Sequence, residues 1–556
     1  MSQSTIRETW QSISARKQAE RASKIPSEWL IPEALMPSDE EDRVQEFPYT
    51  SGFFTKRELL ITDSTASEVV SKVAAGEWTA VEVIKATCKR AAVAQQLVNC
   101  VTETYFDQAL IRATELDEHL QTKGETVGPL HGLPVSLKDQ FNLKGVDSTI
   151  GYAAWAGKKP EEESTLVRLL RNAGAVFYVK TNVPTTLMTG ETVNNLFGRT
   201  SNPRNRKLTS GGSSGGESAL IALRGSFIGV GTDIGGSIRH PASFLGLYAL
   251  RPSHGRVSYQ QVTNTFLGQE AVRSCAGPMC RSPEDIRLFM ASVAAQKPWE
   301  HDPQIIPLPW RADAEVLPEK LCFGFGMGDG YVNPSPPLRR AMEITRDKLL
   351  AAGHRIIDFI PYESKEASEI IWKMWLADGA EEIRRDSGLT GEPLPPGVEM
   401  MYGHSNASLK PLSVFESWQN QHRRTVLAQR FLERWQKTAE VTGTGRPIDA
   451  LITPNSVTPA ARHSMGQPWN YGALSPLLDL TTGVFPVTEV DLVKDVIPGD
   501  WKPISEKDRE AMEFYERPEN HENAQVGLAL IGRRLEEEKI TAMLKVMKEV
   551  VGFHVG

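Results

Sequence analysis

The 556-residue sequence predicts an α/β fold: one large domain with a mixed, largely parallel central sheet flanked by helices. Three observations carry this. Short continuous apolar runs, such as AVFYV (175–179) and SFIGVG (226–231), have the character of strands buried on both faces. Between them lie helical patterns that bring their own start and stop residues. Strand and helix signals then alternate along most of the chain, the order that a sheet with crossover helices requires.

Taken in order, residues 1–62 read as an N-terminal helical arm, rich in charge and proline, whose first helix ends near Pro26. TASE (65–68) is a capping box ahead of Val69, Val70 and Val73. TAVE (79–82) is a second, ahead of Val81, Ile84, Cys88 and Ala91 at helical spacing. LPVSL (133–137) is a short strand, STLVRLLRNAG (164–174) a helix with a Ser start and a Gly stop, and AVFYV and SFIGVG are further strands. LCFGF (321–325), a helix from Pro336 to Ala352 closed by Gly353, RIIDFI (355–360) and DALIT (449–453) continue the alternation. Proline-rich stretches at 303–310, 392–397 and 498–503 read as surface loops.

Composition removes several function classes. A net charge of −7 argues against a general nucleic-acid binder. No eighteen-residue apolar window exists, because Arg224 interrupts SALIALRGSFIGVG, so no membrane span is expected. Five cysteines make an odd count without a CxxC pair, which predicts buried, reduced thiols in a cytoplasmic protein rather than disulfides or a zinc site.

The chemistry is concentrated in two glycine-serine segments, TSGGSSGGESALIALRG (209–225) and GVGTDIGGSIRHPASFLG (229–246). The first has the glycines of a phosphate-binding loop, but Glu217 stands where the lysine belongs and would repel phosphate. It also satisfies G-x-S-x-G with Ser214 as nucleophile, yet the preceding NPRNRKLTS is too polar for the strand that such an elbow needs. Read together, the two segments suit a serine hydrolase. The turn Ile234-Gly235-Gly236-Ser237 can aim consecutive N–H groups at an oxyanion beside the Ser237 hydroxyl. A plain flexible loop between strand and helix would have the same composition.

A base is then required. Lys138 lies just past the apolar LPVSL, where burial disfavours the ammonium. A neutral amine at pH 7 requires its pKa to fall from about 10.4, at a cost of roughly 4 kcal/mol. Taken alone, Lys138 reads more readily as an ion-paired surface lysine with Asp139 as partner, and His131 and His240 are rival bases.

GGSSGGESA followed by GVGTDIGGSIRHPA resembles the signature of the amidase signature family. PLHGLPVSLKDQ (129–140), VKTNVPTTLM (179–188), NNLFGRTSNPRN (194–205) and LRPSHGRVS (250–258) resemble its other landmarks. The resemblance covers nearly the whole chain, closest to the fungal acetamidases, and assigns residues 63–556 to the amidase signature domain with a catalytic core at about 130–260. It implies Ser237 as nucleophile, Ser213 as bridging serine after a cis Gly212–Ser213 peptide, and Lys138 as base. It places the oxyanion on the N–H groups of Ile234, Gly235, Gly236 and Ser237. Ser214 and Thr232 would hold the lysine, Asp233 and Arg239 would pair with each other, and Leu187 and Met188 would lie beside the acyl pocket. His240 differs from the apolar residue that the pattern expects there. The implied activity is hydrolysis of a small-molecule amide, acetamide-like amides first, to carboxylate and ammonia, without metal or organic cofactor and with a homodimer allowed. Larger aryl, indole or secondary-metabolite amides, and a catalytically inactive binding subunit, are the alternatives.

Overall fold

The computed structural model describes residues 8–403, 406, 409–466, 468, 469 and 471–553. The first seven residues of the expected arm therefore lie outside the described residues. The strands of the central sheet are β1 (Val101–Thr104), β2 (Pro134–Lys138), β3 (Val176–Thr181), β4 (Ile228–Asp233), β5 (Tyr248–Arg251), β6 (Cys275–Cys280), β7 (Cys322–Phe325), β8 (Arg355–Asp358), β9 (Ala450–Pro454), β10 (Thr482–Glu489) and β11 (Gln525–Ile531). They form one 11-stranded sheet in the order β1-β3-β2-β4-β6-β5-β10-β11-β9-β7-β8.

The sheet is mixed, as the sequence predicts, but mostly antiparallel rather than largely parallel, and its parallel pairs fall in two separate patches. One joins β2 to β3 and β4; the other joins β7 to β8 and β9. Between the patches run β6, β5, β10 and β11, all paired antiparallel, and β1 pairs antiparallel with β3 at one edge. The apolar runs picked out from the sequence are the strands of the two parallel patches, so the antiparallel centre accounts for the difference. β2, β3 and β4 are buried along their whole length, whereas the edge strand β8 exposes Arg355 and Asp358.

Helices cover the sheet: among them α1 (Trp10–Ser23), α2 (Ala66–Ala74), α3 (Ala80–Val98), α4 (Thr165–Asn172), α5 (Gly215–Ala222), α6 (Arg239–Leu245), α7 (Pro336–Ala351) and α8 (Glu363–Trp375). The capping box at Thr65 forms with both hydrogen bonds, and Thr79 accepts from the Glu82 N–H at the start of α3. The N-terminal arm packs into the body. Ile25, Trp29, Ile31, Val44 and Phe47 belong to the main core. Lys17 of α1 is buried between Glu103 at 2.5 Å and Asp147 at 2.9 Å. All five cysteines are buried and unpaired. Among the described residues no helix is long and apolar enough to cross a membrane.

Candidate active site

The parallel pairing of β2 with β4 brings Lys138, the last residue of β2, beside Thr232 near the end of β4. The lysine is fully buried. Its Nζ donates to Ser213 Oγ at 2.8 Å and to Thr232 Oγ1 at 2.7 Å. Thr232 in turn donates to Gln140 Oε1 at 2.6 Å, so its oxygen offers a lone pair to the lysine. Gln140 is fixed by donating to the Tyr259 hydroxyl at 2.6 Å. Burial pushes the Lys138 pKa down to about 7, against the more distant attraction of Asp233 and Glu217. Asp139 is not its partner. That carboxylate faces away, accepting from Thr102 Oγ1 at 2.8 Å and from the N–H groups of Thr149 and Ile150 at 3.0 and 2.8 Å.

Ser213 is buried, and the Gly212–Ser213 peptide is cis. The next residue, Ser214, stitches the two glycine-serine segments together: its N–H donates to the Ser237 carbonyl at 3.1 Å. The Ser214 hydroxyl is fully buried and accepts from the Thr232 N–H at 3.4 Å, with no contact to Lys138. It therefore braces the lysine's neighbour rather than the lysine, and it is inaccessible as a nucleophile. Ser237 differs from both. Of the three serines it is the one whose residue is partly exposed, so it can be reached by a molecule from solvent.

The turn carrying Ser237 is braced from beneath by Asp233. Arg239 donates Nε and Nη2 to the two carboxylate oxygens, each at 3.0 Å, with both side chains buried. The same carboxylate accepts from the N–H of Gly236 at 2.9 Å and of Ile238 at 3.1 Å. Burial alone would raise its pKa, but Arg239, Arg251 and the Ile238 N–H outweigh burial and hold it well below the usual carboxylate range. The Asp233–Arg239 pair is thus the one expected. The Gly236 N–H is not free for an oxyanion, because it is spent on Asp233. Gly236 has φ +128°, and a Cβ there would sit 2.4 Å from His240 Cε1. A Cβ on Gly235 would sit 2.6 Å from Trp375 Cη2. The two glycines are needed because the turn is clasped between an imidazole and an indole.

A family model described as "Amidase" matches residues 82–541. The chain belongs to the amidase family. It is an amide-hydrolysing enzyme by that membership and by its relatives. It is 62% identical over 543 residues to a Curvularia clavata protein named "Putative amidase kk1C", covering 98% of each chain. It is 43% identical over 551 residues to an acetamidase of Emericella nidulans, covering 98% of this chain and 99% of the other. The fold of a solved fatty acid amide hydrolase matches with a TM-score of 0.91 at 34% identity, over 98% of this chain and 95% of that one.

Around this candidate centre the remaining expected residues separate. His131 precedes β2 at the end of the strand remote from Lys138, and its Nδ1 accepts from the Val127 N–H at 3.0 Å. His240 meets the Asn455 carbonyl through Nε2 at 3.0 Å, which requires the proton on that nitrogen. Burial, then Arg239, pushes its pKa down to about 4, so the ring is neutral at pH 7. Leu187 is buried in a small cluster with Ile150, Tyr152 and Val183, a packing role. Met188 packs with Ile234 against the core cluster that contains Trp375. Thr186 and Leu187 both have positive φ, +74° and +66°, an unusual backbone for residues carrying a Cβ. Glu217 does not face a ligand: it accepts from Ser136 Oγ at 2.5 Å and Thr181 Oγ1 at 3.0 Å, and burial pushes it up to about 8. Among the described residues no group of three His, Cys, Asp or Glu side chains is placed to hold a metal ion. Gln140, Tyr259 and Trp375 were not anticipated. Gln140 follows Lys138 by two residues and could have been suspected from that spacing, whereas the other two come from distant segments with no sequence mark.

Proposed function

We propose that this amidase hydrolyses short carboxylic amides to the acid and ammonia through an acyl-enzyme on Ser237. The observation that carries the reading is a fully buried lysine amine held between two hydroxyls, with no carboxylate in contact. With Lys138 neutral, Ser237 Oγ attacks the amide carbonyl and gives its proton to Ser213, which passes its own to Lys138 Nζ. The oxyanion forms against the N–H groups of the turn from Ile234 to Ser237, less that of Gly236. The proton returns through Ser213 to the leaving nitrogen, which departs as ammonia because an amide anion is too basic to leave. Water then enters, gives a proton along the same path, and frees the acid. A homodimer, and a cytosolic setting where buried thiols stay reduced, belong to the same reading.

A fluorophosphonate probe tests it. The expected result is covalent labelling of the native protein, none in Ser237→Ala, and turnover across a panel of amides graded by acyl length, with acetamide and propionamide foremost. Absence of labelling together with absence of turnover would favour the binding-subunit alternative.

A further inference from the structure

Resting on that reading of Ser237, we infer that Trp375 sets the upper size of the acyl group that the site admits. Trp375 ends α8 and is 5% exposed. The nearest atoms to a Cβ placed on Gly235 are its Cη2 at 2.6 Å and Cζ2 at 2.7 Å. The six-membered edge of the indole therefore lies in van der Waals contact with the backbone of the turn beside the nucleophile. On this inference a carbonyl that reaches Ser237 settles over this turn with its substituent against the indole; His240 stands against Gly236 in the same turn.

The wall is rigid. Trp375 stacks edge-on against Trp372, with centroids 5.3 Å apart at 79°, and belongs to a buried cluster with Ile371 and Met374. Met188 and Ile234, the first residue of the turn, are partly buried and pack against that same cluster. The indole N–H is buried without a hydrogen-bond partner. No polar contact within the core explains a tryptophan at this position; what the side chain contributes is the area and reach of its ring. Against a rigid wall each added methylene of the acyl chain is resisted, and pockets of this kind discriminate by about 10- to 200-fold per methylene.

The test measures kcat/KM for acetamide, butyramide, hexanamide and N-butylacetamide in the native enzyme and in Trp375→Phe, Trp375→Leu and Trp375→Ala. The hexanamide-to-acetamide ratio is expected to rise at least about tenfold in the Leu and Ala variants, and less in the Phe variant, which keeps a ring. A ratio between two substrates does not depend on the fraction of enzyme folded, and the Leu variant preserves apolar volume should Ala fail to fold. An unchanged ratio in enzyme that still labels with fluorophosphonate overturns the inference alone. So does a gain confined to N-butylacetamide, which would place the indole on the leaving-group side. A native enzyme that neither labels nor turns over any amide removes the amide-hydrolysis mechanism and the inference with it.

Discussion

Lys138 and Lys180 stand on the adjacent parallel strands β2 and β3, both fully buried, and they meet different neighbours. Burial lowers both pKa values. Lys138 meets two hydroxyls and falls to about 7. Lys180 meets Ser148 Oγ at 2.7 Å, the Asp147 carbonyl at 2.5 Å and the Asp139 carboxylate at 3.9 Å. Asp139, Glu103 and Asp147 all pull its pKa back up. Burial supplies the push towards neutrality, and neighbouring carboxylates oppose it at both, one of them 3.9 Å from Lys180. Lys138 stands between hydroxyls, whereas Lys180 stands in a carboxylate cluster that also ties α1 to the sheet through Lys17.

Exchanging the two lysines in turn gives the largest contrast. Lys138→Ala should lose about 10⁴-fold or more in kcat, as removal of one member of a catalytic triad does, with little change in melting temperature. Lys180→Met should instead lose about 3–5 kcal/mol of stability, because the buried Asp139 carboxylate is left without its cation. Its kcat per fluorophosphonate-labelled site should stay within about tenfold of native. Equal losses of turnover in the two variants would erase the distinction between them.

The pH profile separates them next. In the proposed mechanism the neutral amine is the active form, so kcat/KM should rise with pH and level off above about 7. The loss is about tenfold per pH unit below that point, hence about a hundredfold at pH 5. The limb should vanish from the residual activity of Lys138→Ala and persist in Lys180→Met. A limb that survives in Lys138→Ala assigns the base elsewhere.

The smallest expected effect is the most discriminating. Asp139 follows Lys138 in sequence but holds Thr149, Ile150 and Thr102. Asp139→Asn should therefore leave the midpoint of the acidic limb in place while lowering the melting temperature. A midpoint that moves down by a full unit would show that the carboxylate supports the Lys138 ammonium after all.

Much of the architecture was legible because its signals are local. The Thr65 cap, the Ser-to-Gly limits of the helix after residue 164 and the apolar runs of β2, β3 and β4 each depend on a few neighbouring residues. The antiparallel centre was harder to see because two of its strands contain proline. Pro278 interrupts β6 and Pro486 interrupts β10, and proline argues against a central strand. Each is tolerated for a tertiary reason. The β6–β5 ladder pairs only Met279 and Cys280, and the β10–β11 register shifts between Pro486 and Thr488.

The sequence by itself determined the class of fold, the helix caps, the pairing of Asp233 with Arg239 and the identity of the amidase segments. Those follow from short-range chemistry or from long motifs. Only the tertiary structure decided which buried lysine stands between two hydroxyls, that Asp233 occupies the Gly236 N–H, and that Trp375 lies against Gly235. Each of these depends on which groups approach through space. Solvation, charge and steric contact act over a few ångströms between residues that can stand more than a hundred positions apart along the chain.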